Sequence, residues 1–203
     1  MRKIIIAMLI ALVPAMAFAG VFDIAYGVNI EQSQPVGTYA EGFKWGSFET
    51  GYEMRTRIWI FGIDSVTKIV STAVDSSMDP TAFVAKTDLG LGLSFGIGNL
   101  LRIGLGINTQ PYQFAIDGST ATLKGFGNYT SDAAANFAAD LLEQKFIYKA
   151  TVDFNLGDML LGLTYKMPSD FSCSSFAGSF DWSQLIPQFA NGTIGLSLLY
   201  SFF

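Results

Sequence analysis

The chain has no histidine, a single cysteine and few charged residues. Without histidine, no Ser-His-Asp triad, Cys-His dyad or His-ligated metal site can be assembled. With Cys173 alone, neither a disulfide framework nor a thiolate metal cluster can form within one chain. Charged residues make up 14% of the 203 positions, against about a quarter in ordinary soluble domains. A water-exposed surface of the usual kind is therefore poorly supplied. A hydrophobic content of 50% excludes a disordered chain. The formal net charge of -5 speaks against nucleic acid as a partner, because phosphate contacts need a basic surface. Beyond residue 20 no apolar run is long enough to cross a bilayer as a helix.

What the sequence does have begins at residue 1. Arg2 and Lys3 precede an apolar stretch over residues 4–16, interrupted by Pro14, and Ala17-Phe18-Ala19 then forms a small-x-small cleavage site before Gly20. This is the pattern of a secretory signal peptide. The expected organisation is a cleaved leader over residues 1–19 and one domain over 20–203. Position 20 is Gly, so no lipidated cysteine is expected there.

After residue 20 the hydrophobic period is two. Residues 22–30 place Phe22, Ile24, Tyr26, Val28 and Ile30 on one face. In 88–97 Leu89, Leu91, Leu93, Phe95 and Ile97 oppose Gly90, Gly92, Ser94 and Gly96. Segments 101–108, 146–155, 161–167 and 194–202 alternate in the same way. Residues 46–61 alternate less cleanly, and 66–74 have strand composition without a readable phase. Eight strands result. Their second faces are rich in Gly, Ser and Thr, whereas the outer face of a soluble sandwich carries varied polar side chains. Large apolar residues suit lipid, and small ones suit a narrow, filled lumen. A sheet in a bilayer must also close on itself, because an open edge leaves unsatisfied backbone groups.

The charges follow the same division. Asp23, Glu49, Glu53, Arg55, Arg57, Asp88, Arg102, Lys149, Asp153 and Lys166 all fall on the small-residue face. A charge facing lipid at the midplane costs about 2–4 kcal/mol, which accounts for the exclusion. With five acids and five bases, these ten can pair internally. Arg55, Arg57 and Arg102 are the expected hubs, since guanidinium binds carboxylates in a bidentate fork.

Connections alternate in length. Short turns are expected at residues 95–99, at 154–158 and at Phe61-Gly62-Ile63-Asp64, with residues 52–56 as the other reading of the first. Long connections are expected over residues 31–45, 75–86, 109–145 and 168–192. Within them, Asp117-Gly118 signals a hairpin in 112–126. Residues 131–144 read as a short helix capped by Ser131, with Phe137, Leu141 and Leu142 on one face. Residues 181–189 read as one helical turn. Acids outnumber bases in these loops, with Glu31 and Lys86 counted among the loop charges.

With these features in place, the chain resembles the small eight-stranded bacterial outer-membrane barrels of the OmpA, OmpX and OmpW types. The resemblance covers residues 20–203 as a pattern. Its sharpest local feature is the segment TIGLSLLYSFF, which is similar to the assembly signal of such barrels, with Tyr200, Phe202 and Phe203 at its end. The resemblance implies an all-β fold: an eight-stranded antiparallel transmembrane β-barrel with short periplasmic turns and long extracellular loops, the third carrying a short helix. It implies outer-membrane lipid and the barrel assembly machinery as partners, and no cofactor.

Three functions compete: a structural or surface-interaction barrel that meets a host surface, a passive OmpW-like pathway for small hydrophobic molecules, and an enzyme. Enzymes of this architecture resemble one another in using a histidine, which this chain lacks. An eight-stranded barrel holds little beyond its own side chains, so the charges are expected to plug the lumen. Phe171, Phe176, Phe180, Trp182 and Phe189 form a candidate loop pocket. Gly96-Ile97-Gly98 reads as a strand-turn rather than a dinucleotide loop, Asn128 and Asn191 as loop polar residues, and Cys173 as an idle thiol with no base to activate it.

Overall fold

The computed structural model describes residues 22–74, 80–117, 120–125, 144–177 and 181–202. The expected leader lies outside these residues, as do residues 131–143 of the helix expected over 131–144. The strands are β1 (Phe22–Gln32), β2 (Phe48–Ile58), β3 (Phe61–Val74), β4 (Pro80–Ile97), β5 (Leu101–Asp117), β6 (Thr120–Gly125), β7 (Lys145–Asn155), β8 (Met159–Ser172) and β9 (Thr193–Ser201). Each barrel strand pairs antiparallel with its neighbours, and β1 pairs with both β2 and β9. The closed circuit runs β1-β2-β3-β4-β5-β7-β8-β9. Among the described residues, short β6 pairs with the far part of β5, from Tyr112 to Asp117, and these two segments are the arms of the hairpin that Asp117-Gly118 signals.

Strict alternation builds the wall. Tyr26, Val28 and Ile30 on β1, Leu89, Leu91 and Leu93 on β4, and Leu196, Leu198 and Tyr200 on β9 all project outward and are exposed. This apolar band, wrapped round a polar interior, is the arrangement of an outer-membrane barrel. No open edge remains in the circuit, so the backbone polar groups of the wall are paired.

Several boundaries differ from expectation. The first short turn is at Trp59-Ile60, between paired Ile58 and Phe61, and not at residues 61–64 or 52–56. Trp59 has φ 59°, a left-handed conformation that ordinarily favours glycine, so the sequence carries no turn signal there. The other two turns use Gly98 and Gly157 at positive φ, as their residue types suggest. Strand β3 therefore begins at Phe61, and Asp64 belongs to the wall. Strands β4, β5 and β8 run beyond the expected limits into the long-loop side, whereas β3 ends at Val74 as expected. The expected loop over 75–86 is correspondingly short, and Lys86 lies in β4 opposite Lys68. Strand β1 continues to Gln32, which brings Glu31 into the wall.

On the long-loop side, short 3-10 turns replace extended loops. Residues Val36–Glu41 and Trp45–Ser47 form two in the first loop, and Cys173–Ala177, Trp182–Leu185 and Phe189–Asn191 form three in the last. Asp181 caps the Trp182–Leu185 turn, its Oδ1 accepting from the Ser183 N–H at 2.9 Å. The first and last loops are joined by the Val36 N–H donating to the Gly192 carbonyl at 2.9 Å.

Candidate functional site

The inward face of the wall carries the chemistry. Near the long-loop end, Lys166 Nζ lies 2.7 Å from Glu31 Oε2 and 2.5 Å from Asp88 Oδ2. Lys68 Nζ meets the same two carboxylates at 2.8 and 3.4 Å. Two lysines and two carboxylates thus form a ring of alternating charge, with every member at most 5% exposed. Thr193 Oγ1 adds a hydrogen bond to Glu31 at 3.0 Å, and Glu49 lies 3.8 Å from Lys68.

Further down, Arg55 bridges two strands. Its Nε donates to Glu53 Oε1 at 2.7 Å and its Nη1 to Asp153 Oδ1 at 2.5 Å. Lys149 pairs with Glu53 at 3.4 Å and with Asp64. Asn29 Nδ2 and the Ser197 hydroxyl both donate to Glu53 Oε2. Gly162 leaves the room that this arrangement needs: a Cβ there would sit 2.7 Å from Asp153 Oδ1 and 2.9 Å from Arg55 Nη2.

At the short-turn end, Arg102 Nη1 lies 2.8 Å from Asp23 Oδ2 and Arg57 Nη2 lies 3.7 Å from the same oxygen. Ser201 Oγ donates to Asp23 Oδ1 at 2.7 Å. Ala25, Leu160 and Leu199 pack as a buried apolar cluster in this region. A cavity of about 60 Å³ lies between the lower and middle groups, lined by Arg55, Arg57, Asp64, Lys149 and Asp153 and walled by glycines 62, 92, 104 and 106. Charged side chains reach into it, and it has room for a few water molecules.

All ten expected lumen charges therefore occur as inward partners in ion pairs. The hubs differ in part from expectation. Arg55 bridges two carboxylates, and so do Lys68, Lys149 and Lys166, whereas Arg57 and Arg102 share one. A compact ammonium fits between converging carboxylates where a planar fork needs one face to face. Three partners were not expected on this face: Glu31, Asp64 and Lys68. The signal that finds them is the charge rule itself. Asp64 and Lys68 are an even number of residues apart, and placing both inward fixes the phase of β3.

The expected loop pocket divides. Phe171 is buried, its ring 5.4 Å from that of Phe146, whereas Trp182 and Phe189 stand 75% and 60% exposed. These three do not share an enclosed pocket. The side chains of Phe176 and Phe180 lie outside the described residues, as does Phe203. Tyr200 and Phe202 meet edge to face at 5.1 Å on the outward face of the last strand, and the Phe202 N–H donates to the Ile24 carbonyl at 2.9 Å. Among the described residues no cluster of ligating side chains could hold a metal ion.

The chain has the architecture of the small eight-stranded outer-membrane barrels. No family model and no curated protein matches it. Among solved structures it is similar to Ail, the attachment invasion locus protein of Yersinia pestis, at 13% identity and a TM-score of 0.43, over 89% of this chain and 97% of that one. It is similar to Neisserial surface protein A at 10% identity and a TM-score of 0.40, over 89% and 94%. It is similar to OprG of Pseudomonas aeruginosa at 12% identity and a TM-score of 0.41, over 91% and 96%.

Proposed function

We propose that this protein is a non-enzymatic outer-membrane barrel with a structural or surface-interaction role, its lumen closed by paired charges. The observation that carries the reading is the ring of Glu31, Lys68, Asp88 and Lys166, which fills the lumen near the long-loop end with side chains at most 5% exposed. Ions or solutes passing through would have to displace buried, mutually neutralising pairs, and breaking such a pair is costly. With the lumen filled, the surface left to meet other molecules is the loop end. There Trp182, Ile186 and Phe189 are exposed on a platform held to β8 by the Gln188 N–H donating to the Pro168 carbonyl at 2.9 Å. Exposed aromatic residues on a fixed loop suit contact with a host surface. Outer-membrane lipid surrounds the apolar band, and the barrel assembly machinery reads the last strand through Tyr200 and Phe202.

Two measurements test this. Vesicles holding the refolded protein are expected to swell in sugar solutions no faster than protein-free vesicles. Faster swelling, or saturable uptake of a small hydrophobic solute, overturns the closed reading in favour of a passive pathway. Cells displaying Trp182→Ser with Ile186→Ser are expected to adhere several-fold less well to a cultured-cell monolayer than cells displaying the parent. Equal adhesion removes the surface role and leaves a structural one.

A further inference from the structure

The first loop is turned over the outside of the barrel. Gln32 shares the outward face of β1 with Tyr26, Val28 and Ile30, by its register opposite Phe48. Those three are between 42% and 49% exposed, yet Gln32 is 3% exposed. What covers it is residues 33–47. Its Nε2 donates to the Lys44 carbonyl at 3.0 Å, and its Oε1 accepts from the Gln34 N–H at 3.1 Å. Gln34, itself buried, ties the loop together: its Oε1 accepts from the Lys44 N–H at 2.7 Å and its Nε2 donates to the Gly42 carbonyl at 2.8 Å. The Ser33 N–H closes the neck by donating to the Ser47 carbonyl at 2.8 Å.

The loop so fixed presents a chain of rings. Tyr39 meets Phe43 edge-on at 5.2 Å, Phe43 meets Trp45 at 4.9 Å, and both Phe43 and Trp45 meet Phe48, at 6.1 and 6.4 Å. Phe48 is the first residue of β2 and belongs to its outward face. The rings therefore continue the outward apolar face of β2 upward from Phe48. Trp45 is 79% exposed. A large ring held outward by a hydrogen-bonded loop is unfavourable in water, and aromatic side chains gather where hydrocarbon gives way to headgroups. Lys44, between Phe43 and Trp45 in sequence, is exposed, and its long stem can carry an ammonium to the headgroup phosphates.

We propose that residues 39–48 are a membrane-docking element. The rings of Tyr39, Phe43, Trp45 and Phe48 lie at the hydrocarbon–headgroup border of the outer leaflet, and Lys44 meets its phosphates. The first loop is thereby a lipid contact, while the last loop stays in the medium.

The test uses the full-length protein with Trp59→Phe and Trp182→Phe, which leaves Trp45 as the one tryptophan. It is refolded into vesicles of phosphatidylcholine and phosphatidylglycerol brominated in the upper half of the acyl chains, and folding is checked by heat-modifiable gel mobility. Trp45 emission is expected to be quenched several-fold by the brominated lipid and to resist aqueous iodide. Free quenching by iodide with none by brominated lipid overturns the proposal. Protection from both quenchers that grows with protein-to-lipid ratio also overturns it, and marks a contact between copies instead. If the double variant does not fold, the Trp45 share is read as the parent signal minus that of Trp45→Phe. Lys44→Glu is expected to weaken the lipid quenching about twofold in phosphatidylglycerol vesicles. Unchanged quenching overturns the phosphate contact.

Discussion

At the long-loop end of the lumen, Lys68 and Lys166 each touch both Glu31 and Asp88. At the short-turn end, Arg57 and Arg102 share the single carboxylate of Asp23, and Arg57 does so only at 3.7 Å. Arg57 Nε is buried without a protein acceptor, as Asp88 Oδ1 in the upper ring is without a donor, and Arg57 lines the cavity. The first arrangement neutralises itself and leaves little space. The second carries one cation more than its carboxylate balances and adjoins room for water. Both lie inside one narrow barrel, so strand number alone does not decide how tightly a lumen is shut. Side-chain size opposite each charge also matters: glycines 62, 92, 104 and 106 wall the cavity, whereas Val66 and Ser169 are among the fully buried residues of the described wall.

The largest effect is expected where the ring is broken. Lys166→Ala leaves Glu31 and Asp88 with Lys68 alone between them, and should destabilise the refolded barrel by about 3–5 kcal/mol in denaturant titrations in lipid. A loss no greater than that of Arg57→Ala would erase the contrast between the two ends.

The contrast also requires that both ends share one inward face. Leu105 is 60% exposed on the outside of β5, beside inward Gly104 and Gly106. Leu105→Arg should cost about 2–4 kcal/mol if it sits near the midplane. An unchanged unfolding midpoint would put the assigned face in error.

A smaller change is expected at the loose end. Arg57→Ala removes a distant ion pair and a neighbour that repels Arg102, and should cost about 1 kcal/mol or less. A loss comparable to that of Lys166→Ala would mean that the lower group is as tightly organised as the upper one.

The smallest effect lies outside the barrel. The Ser183 backbone N–H holds the Asp181 carboxyl below its ordinary value by favouring the charged form. A depressed carboxyl contributes fully above the ordinary carboxylate range, and the contribution is lost as pH falls through the lowered value. Amide exchange over residues 182–185 should therefore quicken in acid relative to neutral pH, after correction for intrinsic rates. Asp181→Asn should flatten that dependence, with the lumen unaffected.

How far the sequence discloses all this depends on the contrast between faces. In β4, β5 and β9, Leu and Ile alternate with Gly and Ser, so phase, facing and closure are legible without coordinates. In β3 the contrast inverts: Ser65 and Thr67 are on the outward face and Val66 points inward, buried. Composition alone then gives no phase, and Asp64 and Lys68 go unassigned. The first turn is illegible for a related reason, since Trp59 occupies a conformation that glycine usually marks. Which cations bridge two carboxylates, Arg55 and three lysines but neither Arg57 nor Arg102, depends on how side chains converge across the lumen, a non-local property. So does the cover over Gln32, which comes from a loop whose hydrogen bonds leave no periodic trace.

The claim that paired charges close the lumen is tested most directly by single-channel recording on the refolded parent in planar bilayers, beside Lys166→Ala and Arg57→Ala. The account predicts no steady open level for the parent, and leak through Lys166→Ala exceeding that through Arg57→Ala. Long-lived, uniform conductance steps in the parent would contradict it.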